Sequence, residues 1–169
     1  MRLRQVIAVC TLLVAGIASA GDSWMSYRSS DGTYSVAFPG KPKVMAKNYQ
    51  TKAGVVPAEL VIYGQNDQAF CTMSLDGSRM PSTKGRENTL LNVAVGAIGA
   101  TKGFKLLAEE SFKMGKYEGR HLVLSKDIAE IQLYAVLKDQ YVLLVAYLGR
   151  PGTTDGPDAQ KFIASFKVK

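Results

Sequence analysis

Apolar and polar residues alternate along most of the chain. Tyr34, Val36 and Phe38 fall on one face of a strand, with Thr33, Ser35 and Ala37 on the other. The same period of two, interrupted by turn residues, predicts strands at Trp24–Ser29, Thr33–Phe38, Lys43–Thr51, Val55–Tyr63, Ala69–Leu75, Phe104–Phe112, Tyr117–Ser125, Ile128–Leu137 and Tyr141–Leu148. Asp31-Gly32 between the first two is a strong hairpin signal. Pro39-Gly40-Lys41-Pro42 breaks the pattern, because proline donates nothing to a ladder, and Pro57 points to an edge position or a bulge. Tyr141–Leu148 is almost continuously apolar, as expected of a central strand covered on both faces.

The period changes between Asn88 and Gly103. Leu90, Val93, Ala94, Ala97 and Ile98 recur at helical spacing, Ser82 or Thr83 offers an N-cap, and Lys102-Gly103 supplies a cation and a terminal glycine. A long helix over about 83–102 follows, with its apolar stripe in the core. Pro157 opens a short C-terminal helix whose inner face is Ala159, Phe162, Ile163 and Phe166. Helices inserted among runs of antiparallel strands give an α+β domain with helices packed on an antiparallel sheet.

The first twenty residues stand apart. Arg2 and Arg4 precede an apolar run from Val6 to Ala18, and Ala18-Ser19-Ala20 places small residues where signal peptidase needs them. Residues 1–20 therefore read as a secretory signal peptide, and 21–169 as a single α+β domain with no integral membrane segment after cleavage. Cys10 lies inside the apolar run, without a lipoprotein cleavage signal before it. Losing Arg2 and Arg4 takes the 21 basic residues to 19 against 14 acids, and the formal charge from +7 to +5. The lysines are scattered rather than gathered into a stripe with aromatics between them, so no nucleic-acid partner is expected.

The chemistry is sparse. Cys71 alone remains after cleavage, alternating with Ala69, Met73 and Leu75, and reads as a buried thiol on a strand. His121 is the single histidine, so zinc sites needing two are excluded by count. No serine sits in a Gly-x-Ser-x-Gly elbow. Glu109 and Glu110 are adjacent, and neighbours on a strand point to opposite faces. No catalytic residue, cofactor or metal ligand is assigned. The face of the expected helix opposite its apolar stripe carries Asn92, Gly96 and Gly99, and an interior helix glycine costs about 1 kcal/mol against alanine. That face is the candidate contact surface.

Several segments together resemble exported bacterial proteins of the PsbP-like fold. They are Asp31-Gly32-Thr33-Tyr34-Ser35-Val36-Ala37-Phe38-Pro39-Gly40-Lys41-Pro42, Tyr117-Glu118-Gly119-Arg120, Leu133-Tyr134-Ala135-Val136-Leu137 leading to Tyr141, and Lys161-Phe162-Ile163-Ala164-Ser165-Phe166. The resemblance implies a curved antiparallel sheet with helices packed on it. Its relatives include an extrinsic photosystem II subunit, a small Ran-binding import factor and bacterial envelope or secretion-effector chaperone proteins, and it carries over no catalytic motif. The expectation is a soluble, exported, non-enzymatic binding or accessory protein of the bacterial envelope, periplasmic or secreted, with an unidentified protein partner. The alternatives are an immunity protein or inhibitor against a toxic effector, a small hydrolase using His121, and a carrier of a small apolar ligand.

Overall fold

A computed structural model describes residues 24–51, 54–79, 88, 92, 94 and 103–169. The expected signal peptide, residues 1–20, lies outside the described residues. Among the described residues ten strands run in chain order: β1 Met25–Arg28, β2 Tyr34–Phe38, β3 Lys43–Thr51, β4 Gly54–Gln65, β5 Gln68–Asp76, β6 Lys105–Met114, β7 Tyr117–Lys126, β8 Ala129–Lys138, β9 Tyr141–Gly149 and β10 Lys167–Val168. The helix α1 spans Pro157–Ser165, and the described residues Asn88, Asn92 and Ala94 are helical as well. Among the described residues no helix is long and apolar enough to cross a membrane.

The architecture differs from the expected single sheet under a long helix. The strands divide between two antiparallel sheets, one of seven strands in the order β3-β4-β5-β9-β8-β7-β6 and one of three in the order β1-β2-β10. The fold is mostly β, and no long helix stands among the described residues. Of the stretch 83–102 only Asn88, Asn92 and Ala94 are described; the remainder lies outside. The division has a local cause. Pro39 and Pro42 end the ladder of β2 before it can continue into β3, so the hairpin β1–β2 closes on itself and takes β10 as its third strand.

Turn chemistry sets the register of the large sheet. Asn66, Gly115, Asp127 and Asp139 open two-residue hairpins with φ of 53°, 63°, 50° and 54°, the left-handed region that Asn, Asp and Gly tolerate best. Pro57 pairs with Asn48 of β3, but the ladder from β4 to β5 starts only at Ala58. Pro57 thus lies one position beyond the last β4–β5 pair, Ala58 with Leu75.

Each face of the large sheet carries a core. On one face, Val61, Phe70, Leu143, Val145 and Tyr147 pack under Tyr34, Val36 and Phe38 of the small sheet and Phe162 and Phe166 of the C-terminal segment. Phe162 sits 5.2 Å between ring centroids from both Phe38 and Phe70, which locks α1 to the two sheets together. Ser165 accepts the Ala37 amide at 2.9 Å and fastens the helix end to β2. The opposite face gathers Leu60, Cys71, Met73, Leu122, Leu133, Leu144 and Ala94. Val142 to Tyr147 are buried throughout, so β9 is covered on both faces as its composition requires.

Candidate functional site

The apolar core stops short of one end of the large sheet. Leu122 and Leu124 of β7 are buried, whereas the first half of the strand is half-buried or exposed, and β6 beside it is exposed from Lys105 to Ser111. Register places Ser111 opposite Arg120, Arg120 opposite Ala135, and Lys113 opposite Glu118. Ser111, Lys113, Glu118 and Arg120 share a face with the Leu60–Met73–Leu144 core but lie beyond its edge, which the buried Ala135 marks. There they line a cleft of about 640 Å³ together with Asn88 and Leu137.

Arg120 organises the cleft. Its guanidinium donates to Oε1 of Glu109 at 2.8 Å and to Oδ1 of Asn88 at 3.1 Å, tying β7 to β6 and to a residue outside the sheet. A planar guanidinium has five donors in a fixed fork, so these two bonds orient the group and leave it able to donate further. Lys113 and Glu118 face each other at 3.6 Å, both largely exposed, and such a pair adds little stability. The walls therefore carry charges of both signs beside the apolar Phe112, Ala135 and Leu137.

His121 is not in the cleft. Strand alternation turns it to the other face, where its ring stacks on Tyr134 with centroids 4.1 Å apart and planes 5° apart. Phe112 meets the same tyrosine edge-on at 5.2 Å. Nε2 of His121 is buried and has no hydrogen-bond partner. Burial, with the Asp155 and Glu110 charges behind it, pushes the Tyr134 hydroxyl up from its ordinary value. That hydroxyl donates to Gln132 at 3.2 Å, whose amide donates to Asp155 at 2.5 Å. Among the described residues nothing resembles an activated nucleophile with an oriented base.

Of the expected contact face, Asn92 is exposed, while Gly96 and Gly99 lie outside the described residues. Ala94 of the expected stripe is fully buried in the core. Cys71 is buried as its alternation requires, and burial pushes its thiol up to about 12. Glu109 and Glu110 point to opposite faces, the first bound to Arg120. Among the described residues no group of three or more His, Cys, Asp or Glu side chains is placed to hold a metal ion. Sequence reasoning missed the cleft, although its signal was present: a two-residue turn at Gly115-Lys116 forces Lys113 against Glu118 and Ser111 against Arg120.

No family model matches the chain, and no curated protein matches it by sequence. Solved structures do. The cyanobacterial PsbP, CyanoP, of Synechocystis sp. PCC 6803 matches with a TM-score of 0.56 and 14% identity, over 92% of this chain and 99% of its own. The Ran-binding protein Mog1p of Saccharomyces cerevisiae gives a TM-score of 0.42 and 8% identity, over 86% of this chain and 95% of its own. A Pseudomonas aeruginosa protein of unknown function, PA94, described as a putative regulator, gives 0.37 and 11%, over 78% and 85%. The last two fall below 0.5, and the fold assignment rests on CyanoP. The two antiparallel sheets, with a short C-terminal helix packed against both, match CyanoP over nearly its whole length, and the fold is PsbP-like.

Proposed function

We propose that this chain is an exported, non-enzymatic binding or accessory protein of the bacterial envelope that works through protein–protein contact, with the cleft beside Arg120 as its contact site. The observation that carries the reading is the placement of Arg120. A cation held by Glu109 and Asn88 at the rim of a cleft of about 640 Å³ is preorganised for a partner, since little side-chain freedom is lost on binding. The likeness to CyanoP supports the fold alone. Export rests on Arg2, Arg4, the apolar run to Ala18 and the Ala18-Ser19-Ala20 junction.

Two measurements test this. Cross-linked pull-downs from envelope extract are compared between wild type and Arg120→Glu. The same protein recovered repeatedly with the wild type and lost with the variant is the expected result; identical recovery by both removes the cleft from the account. Expression of the whole chain in a Gram-negative host should deliver protein to the periplasm with Gly21 at its N-terminus. Retention in the cytoplasm at full length would refute export.

A further inference from the structure

The outer edge of β6 is a row of backbone donors and acceptors with no strand beside it among the described residues: in the large sheet β6 pairs with β7 alone, over ten residues without a proline. Such an edge is a template for another strand unless something blunts it. The opposite edge, β3, is blunted by charge. Its only charged residues are Lys43 and Lys47, so pairing with its own copy brings cations together and never a cation against an anion. β6 is composed differently, with Lys105, Glu109, Glu110 and Lys113 along its length.

The register of β6 singles out one way of pairing with itself. A shift between Leu106 and Ala108 interrupts the ladder, so the regular part of the strand runs from Ala108 to Met114. Its midpoint is Ser111. Antiparallel pairing of two copies about a two-fold axis at Ser111 sets Glu109 opposite Lys113 of the second copy, and Lys113 opposite Glu109 of the second copy. These residues share the face that already holds Arg120 and Glu118, with Glu109 bound to Arg120 at 2.8 Å and Lys113 beside Glu118 at 3.6 Å. The dimer therefore completes a row of alternating sign, Arg120, Glu109, Lys113 of the second copy, Glu118 of the second copy, and repeats it by symmetry. On the other face Phe112 and Met114, both half-buried, meet Glu110 and Ala108 of the second copy.

We propose that the chain self-associates as a two-fold dimer through β6, centred on Ser111, so that the two large sheets become one. Ser111 and Lys113 line the cleft beside Arg120, so the second copy's Glu109 is added to each cleft's rim. The dimer does not depend on what the cleft binds, and its tests are independent of any partner.

Sedimentation velocity of the purified protein over a range of concentrations should show a reversible monomer–dimer equilibrium. Glu109→Lys and Lys113→Glu should each raise the dimer dissociation constant by about tenfold, because each turns two attractive cross-strand pairs into repulsive ones. The double variant Glu109→Lys/Lys113→Glu should recover the dimer, although within each copy it sets a lysine against Arg120 and a glutamate against Glu118. Circular dichroism should show all three variants folded. Ser111→Cys should oxidise to a symmetric intermolecular disulfide, since directly opposed residues of antiparallel strands lie within disulfide reach, whereas Lys113→Cys should not. A wild type that stays monomeric at every concentration, a dimer indifferent to the charge reversals, or equal cross-linking at 111 and 113 would each overturn the proposal.

Discussion

Ser74 of β5 donates its hydroxyl to Oδ2 of Asp31 at 2.5 Å, across the gap between the two sheets. The other oxygen of Asp31 accepts the Thr33 amide at 2.9 Å and the Thr33 hydroxyl at 2.6 Å, so one carboxylate closes the β1–β2 turn and pins it to the large sheet. Burial works to raise this carboxyl, but the bonds from Ser74, Thr33 and Ser29 outweigh it and hold the group below its ordinary 3.8. A carboxyl lowered by folding stabilises the protein above 3.8, and that contribution disappears as pH falls through the lower folded value. Asp31 is itself an exposed residue, so solvent screening keeps the contribution to about 1 kcal/mol. Urea titrations of wild type and Asp31→Asn should show the variant less stable at pH 7, with the gap closing in strong acid. A gap of equal size at both pH values would refute the account.

Gly119 is required by its surroundings. A Cβ there would run into the carbonyl oxygen of Ala135 and stand 2.7 Å from the Phe112 ring, and the carbonyl belongs to the ladder of β8 and cannot yield cheaply. Gly119→Ala should cost about 1–3 kcal/mol, a fall in Tm of several degrees. Gly64→Ala is the control. The nearest atom to its Cβ is 3.8 Å away, so thermal melts should find it neutral or slightly stabilised. Equal losses at the two positions would show that the crowding at Gly119 is not the cause.

Cys71 should be inert in the folded protein. Its thiol is buried among the core residues of the large sheet, and burial pushes its pKa up to about 12, which leaves almost no thiolate at neutral pH. Maleimide labelling followed by mass spectrometry should find no adduct without denaturant and full labelling in guanidinium. Rapid labelling of the native protein would mean that this core opens locally.

The strands were legible because their signals are local. The alternation of Tyr34, Val36 and Phe38 and the turn residues Asn66, Gly115, Asp127 and Asp139 each act within a few positions, and they delimit nine of the ten strands closely. The division into two sheets was not legible. It depends on β2 choosing Lys167 and Val168 as neighbours, a pairing across more than 130 positions in a two-residue strand too short to show a period. Arg120 was hidden differently. Its partners Glu109 and Asn88 stand 11 and 32 positions away, and only the hairpin register and the stretch beyond the sheet bring them together.

His121 decides between a structural and a chemical role for the other face of the sheet. Its buried Nε2 has no partner, and an unsatisfied buried polar atom costs about 1–3 kcal/mol. In a structural role that cost is simply borne for the sake of the ring, which stacks on Tyr134 at 4.1 Å. His121→Phe keeps an aromatic ring on Tyr134 and removes the nitrogen, so it should stabilise the protein by about 1 kcal/mol in urea titrations. In a chemical role the free nitrogen is what matters, and His121→Ala would abolish a turnover that the wild type displays on ester, peptide or glycan substrates. Stabilisation by phenylalanine with no turnover in the wild type is the expected pair of results. Turnover lost with His121→Ala would overturn the non-enzymatic reading whatever the melts show.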